Sequence, residues 1–145
     1  MKELVTRIEI DAPAAKVWET LMNFRDYPQW NPFVQYVRGE AKPGGTIHTI
    51  LALPDGEPMV IHPEVLKVDP QHEFRWKGKF WLRGLFDSEH YFKVMPLTEN
   101  RSLFIQGEIF SGILVPFLKK MLEGVTAERF KAMKNGLKAR VEKKA

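Results

Sequence analysis

The 145-residue sequence predicts an α+β domain in which a strongly curved antiparallel sheet wraps a long C-terminal helix. Three observations carry that prediction. Turn signals recur at short intervals between Gly39 and Asn100, the runs between them are strand-like, and apolar residues three or four apart continue from Leu114 to Val141. Gaps this short hold no crossover helix, so consecutive strands must pair antiparallel. A sheet of this size cannot cover its own concave face, and only the C-terminal helix is long enough to fill it.

Each element has its own justification. Leu4, Thr6, Ile8 and Ile10 alternate with Val5, Arg7 and Glu9, as in a strand with one covered face. Asp11-Ala12-Pro13 then starts a helix, because proline is tolerated in the first turn and Asp11 can accept an unpaired backbone N–H. That helix runs from Pro13 to about Asn23, with Val17, Leu21 and Phe24 in one stripe beside Trp18 and Met22. From Phe24 to Phe33 two prolines, Pro28 and Pro32, surround Tyr27 and Trp30. Only a short helical turn or loop fits there, and its dense aromatics point to a lid or gate.

Six further strands are predicted: Val34 to Arg38, Thr46 to Leu53, Met59 to Val68, Glu73 to Trp81, Phe86 to Met95 and Ser102 to Phe110. They are separated by Lys42-Pro43-Gly44-Gly45, Leu53-Pro54-Asp55-Gly56, Val68-Asp69-Pro70, Leu82-Arg83-Gly84 and Thr98-Glu99-Asn100. The closing helix spans Ile113 to Val141, roughly 40 Å at 1.5 Å per residue, with Pro116 in its first turns and Gly124 as a weak point. The length and the 44% apolar content fit one domain over residues 1–145, without repeats or linkers.

Composition removes several functional classes. With no cysteine there is no disulfide, no cysteine-bound zinc or iron–sulfur centre and no thiol nucleophile, and a reducing, cytoplasmic location is expected. The longest apolar run, Ile113 to Leu118, is six residues against the roughly 20 that span a bilayer, so neither secretion nor stable membrane insertion is expected. The net charge of +4 is concentrated from Lys119 onward, where nine basic residues meet three acidic ones. Lys119, Lys120, Lys131, Lys134, Lys138 and Arg140 alternate with apolar residues at helical spacing, which describes a solvated helix face. The chain lacks the basic–aromatic interleaving of single-strand binders, and no nucleic acid partner is expected. No G-x-G-x-x-G, G-x-x-x-x-G-K-[ST] or G-x-S-x-G motif occurs, so nucleotide use and serine hydrolase chemistry lack support and no cofactor is expected.

Several segments resemble a known superfamily as an ordered set: Ile10-Asp11-Ala12-Pro13 followed by Val17-Trp18, and Tyr27-Pro28-Gln29-Trp30-Asn31-Pro32-Phe33. Val65 to Pro70, Phe74-Arg75-Trp76, His90-x-Phe92 and Gly107-Glu108-x-Phe110-x-Gly112 complete it. The chain resembles the START-like, or SRPBCC, superfamily, and most of all its bacterial polyketide cyclase/dehydrase-like branch. The resemblance covers essentially the whole chain. It implies a helix-grip fold, with six or seven strands around the C-terminal helix and two short helices after the first strand. It leaves function open among carriers, cyclases and chaperone activators, because one fold hosts all of them.

Strand parity then selects candidates. If Phe74, Trp76 and Gly78 face the concave side, Arg75, Lys77 and Lys79 face out, and His90 and Phe92 point inward on the next strand. On the last strand, periodicity alone favours Leu103, Ile105 and Ile109 inside, whereas the resemblance implies Gln106 and Glu108. The expected ligand-binding set is Trp30, Phe33, Trp76, His90, Phe92, Gln106, Glu108, Phe117 and Met121. Glu108 and His90 are the candidate catalytic residues, a pair able to move a proton. A structural role for Glu108 is the preferred reading, in which it accepts hydrogen bonds from Trp30, Gln106 or His90. His48, His62 and Glu64 lack a metal-binding spacing, and no metal site is expected. The leading expectation is a binder of a hydrophobic or amphipathic small molecule such as a lipid, quinone or aromatic metabolite. The alternatives are a cyclase, aromatase or dehydratase, and a chaperone-activating interaction domain; a homodimer is compatible with each.

Overall fold

The computed structural model describes residues 2–32, 34–52, 58–79 and 87–143. β1 (Lys2–Ile10) leads into α1 (Ala14–Met22), a 3-10 turn (Phe24–Asp26) and α2 (Tyr27–Trp30). The chain continues through β2 (Val34–Arg38), β3 (His48–Ala52), β4 (Pro58–Ile61), β5 (Glu64–Asp69), β6 (Glu73–Lys79), β7 (Asp87–Thr98) and β8 (Arg101–Ser111). It ends in α3 (Val115–Glu142), which runs through Gly124 without a break. All strand pairings are antiparallel, in a five-stranded sheet β1-β8-β7-β6-β5 and a three-stranded sheet β2-β3-β4.

The single strand expected from Met59 to Val68 is two strands, broken at His62-Pro63. Pro63 has no N–H to offer a ladder, and its carbonyl instead accepts the Ile47 N–H at 2.9 Å. This also shortens the strand expected from Thr46. Residues 44–46 leave the β2–β3 ladder and pair with β5, through Gly44 N–H to the Val65 carbonyl (2.9 Å), Val65 N–H to the Gly45 carbonyl (2.8 Å) and a Thr46–Glu64 bridge. Two sheets stitched in this way form one bent wall, where one continuous sheet had been expected.

Hydrophobic burial fixes α3 in that wall. Its Phe130, Met133, Leu137 and Val141 are buried, and the last three join a core that includes Ile10, Val17, Leu21 and Phe104. Two glycines allow close approaches that any side chain would block. A Cβ at Gly107 would lie 2.1 Å from the Tyr91 ring, which covers the outer face of β8 and donates its hydroxyl hydrogen to Glu3 at 2.7 Å. A Cβ at Gly136 would lie 2.1 Å from the Trp30 carbonyl oxygen, so α3 can rest directly on the end of α2. In the aromatic segment after α1, Tyr27 and Trp30 are buried with ring centroids 4.7 Å apart, and Phe24 and Tyr27 also border the cavity described below. Met95, near the end of β7, is half-exposed. Among the described residues no helix is long and apolar enough to cross a membrane.

Candidate functional site

Between the bent wall and α3 lies a cavity of about 70 Å3 as measured for the centre of a water-sized sphere, within some 800 Å3 of atom-free space that includes its opening. Its floor comes from alternate residues of three adjacent strands, as the pleat dictates. Phe74, Trp76 and Gly78 come from β6, His90 and Phe92 from β7, and Glu108 from β8. The register sets Trp76 opposite His90 and His90 opposite Glu108. The rings lie nearly parallel: Phe74 and Phe92 are 19° apart in plane, and His90 and Phe92 are 12° apart with centroids at 5.1 Å. Thr126, Arg129, Phe130 and Met133 of α3 form the roof, and Thr49, Leu51, Ile47 and Phe24 line the remaining sides.

The polar groups Glu108, His90 and Arg129 share this lining. His90 Nδ1 is 3.8 Å from Glu108 Oε2, too long for a hydrogen bond. Glu108 accepts a hydrogen bond from the Ser88 side chain and feels the positive charge of Arg129, both of which favour its ionised form. Burial outweighs them and pushes its carboxyl up to about 7. Burial, aided by Arg129, pushes the His90 imidazole down to about 3, so it is neutral at physiological pH. Among the described residues, Trp76 Nε1, His90 Nε2 and Thr49 Oγ1 are buried polar atoms with no hydrogen-bond partner in the protein. Unpaired polar atoms are costly in an interior. All three belong to residues that line the cavity, whereas Trp30 Nε1 and Gln106 Oε1 are unpaired outside that lining.

The structure gathers Trp76, His90, Phe92 and Glu108 in the cavity wall. It corrects other expected positions. Phe117 is 83% exposed near the start of α3, because that turn packs on Phe110 and Leu4 of the sheet through Val115 and Leu118, which leaves Phe117 on the solvent side of the helix. Trp30 is outside the described cavity lining; it packs on Tyr27 in the solid core, and its indole nitrogen has no bond to Glu108. Gln106 is fully buried and faces inward, but its amide donates to Met133 Sδ at 3.1 Å and takes no place in that lining. Phe33 and the Met121 side chain lie outside the described residues. Glu108 itself departs from the preferred reading: neither Trp30 nor Gln106 reaches it, and its pKa moves up where a fully bonded structural carboxylate would move down.

Arg129 is the site residue that the sequence reading missed. It had been one of many basic residues in a solvated helix, yet it lies four residues before Met133 and three after Thr126, both buried. Spacing of this kind on an apolar stripe was the available signal. On the far surface the His48 and His62 rings lie 4.4 Å apart. Among the described residues no group of three or more side chains is placed to hold a metal.

A helix gripped by an antiparallel wall, with a ligand-sized recess between them, defines a START-like protein. The fold matches an aromatase/cyclase, Zhui, from Streptomyces sp. R1128, at a TM-score of 0.80 and 17% identity over 97% of this chain and 93% of that one. A START superfamily protein from Mycobacterium smegmatis matches at 0.79 and 19% identity over 97% of both chains. The di-domain ARO/CYC BexL of the BE-7585A biosynthetic pathway matches at 0.80 and 14% identity; it covers 99% of this chain, which spans only 48% of that one. The protein belongs to the family described as polyketide cyclase / dehydrase and lipid transport, which matches residues 1–142. No curated protein matches the sequence.

Proposed function

We propose that this protein binds a hydrophobic or amphipathic small molecule, of the lipid, quinone or aromatic polyketide-like kind, between the sheet and α3. The observation that carries this reading is the composition of the cavity wall. Phe74, Trp76, Phe92 and Phe130 supply apolar surface, while Glu108, His90, Arg129 and Thr49 supply a few polar contacts. That division is the one ligand sites use, with burial giving affinity and sparse polar groups giving orientation. An open recess also favours a small guest over a protein-interaction role, which needs no cavity. The test is saturable binding of methyl 2-naphthoate, followed by tryptophan fluorescence, in the wild type and in Thr126→Phe, whose new ring would occupy the recess. Binding that weakens at least about tenfold in the variant supports the reading. Absence of saturable binding in the wild type would sink it.

A second reading, catalysis of a cyclisation or dehydration, rests on Glu108. A buried carboxyl near neutrality, beside a neutral imidazole with a free nitrogen, can exchange a proton with an enolisable guest. In that case Glu108→Gln lowers turnover of an authentic substrate by about 10² to 10⁴, whereas a pure carrier keeps its affinity for neutral ligands.

A further inference from the structure

The cavity contains two charge-bearing side chains among the described residues, Glu108 on the floor and Arg129 in the roof. They differ in one chemical respect. A guanidinium stays protonated at any pH a protein meets, while a carboxyl can be neutralised by one proton. The cavity can therefore pass from neutral to cationic, but it has no route to a net negative charge. We infer that the cavity selects amphiphiles bearing an acidic group, a carboxylate, phenolate or enolate, which Arg129 receives while Glu108 gives up its charge. This rests on the small-molecule reading above and narrows it to acidic ligands.

The surroundings of Glu108 support the exchange. The groups facing it are Ser88 and His90 from β7, Arg129 from α3 and, across the ladder on the other side, Leu4 of β1. Asp87 precedes Ser88 and by strand alternation belongs to the opposite face. His90 contributes no charge at neutral pH, because its imidazole is held far below its ordinary value. Burial has already brought Glu108 to about 7, so taking up its proton near neutral pH is nearly free. Arg129 is half-buried, and its attraction to Glu108 already offsets part of its own desolvation. An incoming anion would take over that attraction. A basic amine would meet the reverse situation: it would need Glu108 ionised, and Arg129 would repel it.

A matched pair of probes separates this inference from the broader one: 2-naphthoate and its neutral methyl ester share the ring and differ in charge. Calorimetric titration at pH 8 in two buffers of different ionisation enthalpy gives affinity and proton uptake together. The wild type should bind the acid about ten- to a hundredfold more tightly than the ester, with uptake of about one proton per acid and none with the ester. Arg129→Gln should bring the acid down to the level of the ester, Arg129→Lys should restore part of the preference, and Glu108→Gln should abolish the proton uptake. Equal affinity for acid and ester in the wild type, or acid binding without proton uptake there, would overturn the inference while leaving the cavity-binding reading standing. A preference for acid that survives Arg129→Gln would overturn it equally. If neither probe binds, both readings fail.

Discussion

Glu108→Gln should make the protein more stable at pH 8 and leave it unchanged at pH 4. Glutamine keeps the shape and an acceptor for Ser88, and it resembles the protonated acid. In the unfolded chain the carboxyl ionises at its ordinary 4.5; in the fold it ionises only at about 7. Between those values the native state holds a proton that the unfolded state has released, so wild-type stability falls as pH rises. At about 1.4 kcal/mol per unit the interval amounts to roughly 3 kcal/mol, a large share of the 5–15 kcal/mol typical of a domain. Attraction to Arg129 and the Ser88 hydrogen bond are already contained in that figure, since both act on the folded-state value. Urea denaturation from pH 4 to 8.5 on both proteins measures the effect. The two stability curves should meet below pH 4.5, separate up to pH 7 and run parallel above it. Parallel curves throughout would show that Glu108 titrates normally, and the reasoning from burial would be wrong.

The His90 ring protons should show no titration by NMR between pH 8 and about 4.5, because the folded-state value is about 3; a midpoint near the ordinary 6.5 would mean that the imidazole is solvated. Gly136→Ala should destabilise the protein by about 1–3 kcal/mol despite better helix propensity, since its Cβ would meet the Trp30 carbonyl at 2.1 Å, whereas Gly124→Ala, with open space around it, should stabilise by up to about 1 kcal/mol. Thermal melts of the two variants check this, and shifts of the same sign would contradict the close α2–α3 contact.

Much of the architecture is written in local patterns. Alternation in Leu4–Ile10, in Phe74–Gly78 and in His90–Val94 sets which side chains face inward, because successive strand residues must point to opposite faces. The stripe from Phe130 to Val141 likewise determines which side of α3 is gripped. These patterns are intrinsic to one segment, so one segment suffices to reveal them. On β8 the local pattern misleads: Leu103, Ile105 and Ile109 look like the inner set, yet Phe104, Gln106 and Glu108 are the buried ones. Only the resemblance to related sequences pointed the right way there. Other features depend on pairs of distant residues. Pro63 offers its carbonyl to the distant Ile47 N–H, and Phe117 stands in solvent because Val115 and Leu118 are the residues of that turn that reach Phe110 and Leu4. The charge state of the site was beyond any linear reading, since it depends on how much water is excluded around Glu108 and on the arrival of Arg129 from a helix 21 residues further along. Desolvation is a property of the assembled interior, and no single segment contains it.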